Sequence, residues 1–344
     1  MPRVKTFYAI CFSWFAVFAI PAPSQESAPL RLVQTIPMPG VHGRMDHLGV
    51  DVKGKRLFAA ALGENQNTVE VIDLNAGKRT FSIPGQRMPQ GVFYSAEFNR
   101  LFVANGTDGT CKIFRGDDFK LIDSLILGTN ANHVGYDPAS KYLYVGIGIP
   151  DSKAGALAII DTRTNKHIGN IKTDVHPGGI KIEKSGPRIF VTLTGVTKLG
   201  VVDRKKREEI TTWPVTGVEG NVALAFDESH HRLFDGTRNP PMLTVFDTDS
   251  GHQITQLEGV AGIDDLWYDA SRKRIYASGG RGSETGFVYV YQQKDADHYE
   301  LIAKVPTRGN AQTSIWVPQL NRYYVSASGN EKEDAAILVL EPQP

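Results

Sequence analysis

Three histidines and a handful of acids carry most of the chemistry this chain could do. The stretch "GRMDHLGVD", residues 43–51, packs Arg44, Asp46 and His47 into one short approach to an apolar run. His133 and His176 recur in comparable approaches, "NANHVG" (130–135) and "DVHPGG" (174–179), and "GIDDLW" (262–267) adds Asp264 and Asp265. Imidazoles and carboxylates are the ligand types that hold a divalent ion, and they also serve as proton donors and acceptors. A candidate metal set is therefore His47, His133, His176 and Asp265. The side chains lie too far apart in sequence to meet unless the fold brings them together, so the elements that position them decide the matter.

Those elements repeat. A short aromatic strand recurs as "KRLFAA" (55–60), "NRLFVA" (99–104), "KYLYVG" (141–146), "PRIFVT" (187–192), "HRLFDG" (231–236), "KRIYAS" (273–278) and "NRYYVS" (321–326), at spacings of 42 to 48 residues. In front of each lies another apolar strand, such as "HVGYD" (133–137), and a turn usually opened by an acid: Asp51, Asp137, Asp227 or Asp269. Asp accepts hydrogen bonds from the backbone of such turns, so these four read as turn formers. A third strand ("TVEVID", "ALAIID", "KLGVVD") and a fourth ("KRTFSI", "KHIGNI") complete each unit. The third strands are apolar at nearly every position, which suits sheets covered on both faces. Four short antiparallel strands, seven times over, specify an all-β, seven-bladed β-propeller. The last repeat lacks a fourth strand after "AAILVL" (335–340), and "LRLVQTI" (30–36) lacks a repeat of its own. Pairing the two closes the ring and removes two exposed edges.

"RLFVANG" (100–106), "LYVG" (143–146) and "NTVEVIDLNAGKRTFSIPG" (67–85) resemble the YVTN family of propeller repeats, as in YncE-like proteins. The resemblance covers residues 30–344 and implies an extracytoplasmic seven-bladed propeller. It departs at Tyr142, where other repeats carry Arg, and at Asp235, which interrupts an apolar strand. No Trp-Asp dipeptide occurs, which disfavours the WD40 type.

The 344 residues thus divide into an N-terminal signal and one domain, 25–344. Arg3 and Lys5, the apolar "FYAICFSWFAVFAI" (7–20) and the small residues of "PAPSQESA" form a secretory signal over 1–24, cleaved after Ala22 or Ser24. At about 14 residues the apolar run falls short of the roughly 20 that span a membrane. The expected location is extracytoplasmic, periplasmic or secreted, with no membrane partner after cleavage. Cleavage leaves Cys111 as the single cysteine, a packed strand residue rather than a nucleophile. A net charge of +1, with both signs mixed along the chain, gives no reason to expect nucleic acid.

In a propeller the approaches to the first strands ring one mouth of a central channel. Aligned on the aromatic strands, they place Arg44, Asp46, His47, Gln90, Asn132, His133, His176, Asn221, Asp264, Asp265, Arg308 and Gln312 at that mouth, with Arg87 and Glu219 nearby. His47 and His133 hold the same repeat position. The leading expectation is a monomeric propeller that binds a small molecule or a protein there. The alternative is a metal-assisted lactonase or lyase, with a divalent metal as cofactor and a histidine as base. The recurrent Arg at 56, 100, 188, 232, 274 and 322 reads as structural, and Trp267 and Trp316 read as packing between blades. "SGGRGSETG" (278–286) lacks the Lys-Ser/Thr and the helix of a phosphate loop.

Overall fold

The computed structural model describes residues 28–63 and 66–344. The expected signal over 1–24 and Cys11 lie outside the described residues. Seven sheets of four antiparallel strands make seven blades; in six of them the strands pair in sequence order. The ring closes through the last blade, whose order is Leu30–Met38, Ala335–Pro342, Arg322–Ala327, Thr313–Val317. The closing strand is longer than the expected 30–36. Its register runs from Leu30 opposite Pro342 to Met38 opposite Ala335.

Local chemistry builds each blade. Asp51 accepts the Gly54 N–H at 2.9 Å, Asp137 that of Ala139 at 3.0 Å, and Asp269 that of Ser271 at 3.0 Å. Asp227 instead accepts the Ser229 hydroxyl, at 2.6 Å. The recurrent arginine ties these turns to the next blade. Arg56 donates to Asp51 and to the Gly116 carbonyl one repeat on, and Arg188 donates to Glu183 and the Thr248 carbonyl. Arg100 departs from the pattern and caps only the Phe98 and Asn99 carbonyls.

The aromatic that follows the arginine is sealed between blades: Phe58, Phe102, Tyr144, Phe190, Phe234 and Tyr276 are all fully buried. Burying one such side chain contributes about 2 kcal/mol. The described residues contain seven apolar clusters, each at a junction between neighbouring blades. Trp316 packs edge-on against Tyr276 at one of them, as expected. Cys111 is buried, and burial pushes its thiol up to about 12, out of reach of nucleophilic chemistry at neutral pH.

Candidate functional site

The seven innermost strands are Arg44–Asp51, Pro89–Ser95, Val134–Asp137, Ile180–Ile182, Glu219–Asp227, Asp265–Asp269 and Thr313–Val317. Side chains alternate along a strand, so every second residue on these strands faces the same way. Counting back four residues from the turn-side position of each strand (Asp51, Ser95, Asp137, Asp227, Asp269, Val317 and, one residue past the end of its strand, Glu183) gives the upper layer: His47, Gly91, His133, Gly179, Ala223, Asp265 and Thr313. Counting back two gives the lower layer: Gly49, Phe93, Gly135, Lys181, Ala225, Trp267 and Ile315. Between and around these layers lies a cavity of about 250 Å³ lined by residues of all seven blades.

Small residues between large ones let distant blades meet. Gly91 separates His47 from His133, and the two imidazoles come within 4.5 Å, centroid to centroid. A Cβ on Gly91 would stand 2.3 Å from the Asn132 carbonyl, so this strand has no room for a side chain there. Ala225 separates Lys181 from Trp267, and the Lys181 ammonium lies 4.5 Å from the Trp267 ring centre.

The upper layer carries a charged network. His47 Nδ1 is 3.2 Å from Asp265, and its Nε2 is 3.5 Å from Asp46. Both ring nitrogens face carboxylates, so the ring holds two protons. Burial works against that charge, but Asp265 and then Asp46 outweigh it and push the imidazolium up to about 10. Asp265 is held in turn by the Ser314 N–H at 2.8 Å. Above it, Arg44 donates to Asp46 at 2.8 Å and approaches Asp264 at 3.7 Å, while Arg238 donates to Asp264 at 2.8 Å. Burial raises the fully enclosed Asp46 carboxyl despite His47 and Arg44, so Asp265 is the firmer counter-ion of His47.

His133 behaves oppositely. Neither ring nitrogen has a hydrogen-bond partner or contact with solvent. Burial, and then the His47 charge beside it, hold it well below the usual histidine range. A cationic and a neutral imidazole therefore stand side by side, their planes tilted by 54°.

The other expected residues divide. Gln90 is buried, and Asn132, Asn221 and Gln312 each hold a buried side-chain oxygen without a partner. Arg44 and Gln312 line a second cavity of about 350 Å³ at the mouth. His176 is not part of the channel: its ring N–H donates to the Asn130 carbonyl at 2.8 Å. Arg308 also turns away, to Glu333 and the Ala327 and Asp334 carbonyls. Arg87 and Glu219 are exposed. Among the described residues no three His, Cys, Asp or Glu side chains are placed to hold a metal ion. The expected set of His47, His133, His176 and Asp265 is not assembled, because His176 is committed elsewhere and both His47 nitrogens face acids.

Sequence reasoning missed Lys181 and Arg238 and read Trp267 as packing only. Trp267 does pack between blades, donating its indole N–H to the Ser314 carbonyl at 3.1 Å, but it also lines the cavity. A findable signal existed: Lys181 and Trp267 occupy the same position in their repeats, two residues before the acid of the turn. Both also line a groove of about 730 Å³ formed by the turns on the face opposite the mouth. The channel is thus tied shut by ion pairs at the expected face and bounded by Lys181 and Trp267 at the other.

No protein-family profile and no curated protein sequence matches the chain. Solved structures do. A chain of a mitotic checkpoint complex superposes with a TM-score of 0.73 at 13% identity, over 97% of this chain and 98% of its own. A chain of hydrazine synthase from Kuenenia stuttgartiensis gives 0.72 at 14% identity, over 88% and 98%. At such identities the likeness establishes the architecture alone: the chain is a seven-bladed β-propeller.

Proposed function

We propose that this protein is an extracytoplasmic, YVTN-type propeller that binds a small molecule inside its central channel. One observation carries the reading. His133 lines the cavity and neither of its ring nitrogens has a hydrogen-bond partner, while the acids around it are held in ion pairs. A buried polar group without a partner costs roughly 1–3 kcal/mol, which a bound ligand or water would recover. At about 250 Å³ the space is below the roughly 300–1,000 Å³ of drug-sized sites, and it has no room for a protein segment. The metal-assisted lactonase or lyase has no comparable support: His47, His133 and Asp265 meet, but among the described residues no three His, Cys, Asp or Glu side chains are grouped to hold an ion.

The test is a fragment screen by NMR, using compounds of about a dozen heavy atoms or fewer, against the mature protein and two channel-filling variants, Ile315→Trp and Ala223→Phe. Hits that bind the parent and are lost from a folded filled variant support the reading. Hits that persist place the site elsewhere, and the absence of hits overturns it. N-terminal sequencing of the exported protein checks the localisation, with Pro23 or Gln25 as the expected first residue.

A further inference from the structure

The acids of the channel are all ion-paired, and one cation is left over. Asp46 pairs with Arg44, Asp264 with Arg238, and Asp265 with His47. Lys181 lines the same cavity yet has no carboxylate within ion-pairing distance among the described residues. Its ammonium rests only on the face of Trp267, a contact that stabilises a cation without neutralising it. Burial holds the Lys181 amine below the usual lysine range, and Asp265, too far off for an ion pair, opposes it only in part. The remaining walls are mostly apolar, among them Leu48, Val92, Phe93, Ile180 and Leu224, with Tyr94, Tyr136 and Ser314 as polar members.

A surplus cation at one end of an apolar cavity, with an unpartnered imidazole in the layer above it, defines a ligand by chemistry. We propose that the channel binds the carboxylate of a small organic acid with a compact apolar body, Lys181 serving as counter-ion and His133 as hydrogen-bond partner. The apolar body lies against Val92, Phe93 and Leu224. Because Lys181 and Trp267 also border the groove on the turn face, the acid enters from that side, not through the ion-paired mouth. Small carboxylates from any source share this chemistry. The inference rests on the channel being the binding site.

The experiment measures calorimetric binding of three acids, benzoate, phenylacetate and isovalerate, each against its neutral amide. The mature protein, Lys181→Met and Lys181→Arg are compared. At least one acid should bind the parent tenfold or more tightly than its amide. Lys181→Met should erase that preference, and Lys181→Arg should retain part of it. Equal binding of acid and amide, or a preference that survives in a folded Lys181→Met protein, overturns the carboxylate assignment while leaving the channel as a binding site. Failure of all six probes overturns the carboxylate assignment, while the fragment screen with the filled-channel variants decides separately whether the channel binds a small molecule at all.

Discussion

Replacing Asp265 by asparagine keeps the shape of the channel wall and removes the main counter-ion of a buried imidazolium. The structure sets the size of the effect. Moving His47 from its ordinary 6.5 to about 10 corresponds to about 5 kcal/mol of net favourable interaction with the charged ring, at about 1.4 kcal/mol per pH unit. Asp265 is the largest favourable contributor and Asp46 the next, so the Asp265 share is about 3 kcal/mol, at the low end for breaking a buried pair. The sign follows from linkage. A base raised above its unfolded value contributes stability that is complete below pH 6.5 and is lost as pH rises toward 10. In Asp265→Asn the ring gives up its proton about two pH units earlier. The variant's deficit in unfolding free energy should therefore be about 3 kcal/mol at pH 6 and shrink to about 1 kcal/mol at pH 9. Urea denaturation followed by tryptophan fluorescence at several pH values in this range measures it, and nitrogen-15 NMR of the His47 ring reports the protonation directly. A deficit that stays constant or grows from pH 6 to 9 would show that His47 is not charged in the folded protein, and the account of the network would fail.

Deleting residues 30–38 removes the buried Leu30, Ile36 and Met38 and bares the edge of Ala335–Pro342. The melting temperature should fall by about 15 °C or more in differential scanning calorimetry, and an unchanged value would deny the strand its closing role. Asp235 is fully buried, and neither carboxylate oxygen has a partner, so Asp235→Val should stabilise the protein by about 1–3 kcal/mol. Burial holds this acid well above its usual range, and an acid raised on folding loses stability as pH climbs above 3.8. The gain should therefore be larger at pH 7 than at pH 4 in urea denaturation, and a gain that falls with rising pH would contradict the burial of a neutral acid.

The architecture was legible in the sequence because it is written in local chemistry repeated many times. An acid such as Asp51 shapes a turn within three residues, and Arg56 and Phe58 have counterparts in nearly every copy, Tyr142 replacing the arginine in one. Aligning the copies then located His47 and His133 at one repeat position and Asp265 on another approach to the same channel mouth; that Asp265 shares their layer came from the structure. What alignment could not supply is where a long side chain ends. Arg308 and His176 lie on the correct approaches but reach neighbouring carbonyls. Lys181 looks like the polar member of an ordinary alternating strand, "IKI", and only the absence of bulk at Ala225 lets it reach Trp267. Occupancy of the channel is a property of gaps between blades, and gaps do not repeat.

The joint that closes the ring also sets the order of assembly. His47 belongs to the first complete blade and Asp265 to the sixth, and the seventh, which contains both ends of the folded domain, stands between them. Its Thr313 hydroxyl donates to the Asp46 carbonyl and its Ser314 N–H to Asp265. Contacts so remote along the chain form late, since their loops carry the largest closure cost. In a chain made from its N-terminus, the charged pair cannot form until the final strand has met the first. A ligand held in the channel would then select finished molecules and slow their unzipping, making occupancy a report on whether the ring is whole.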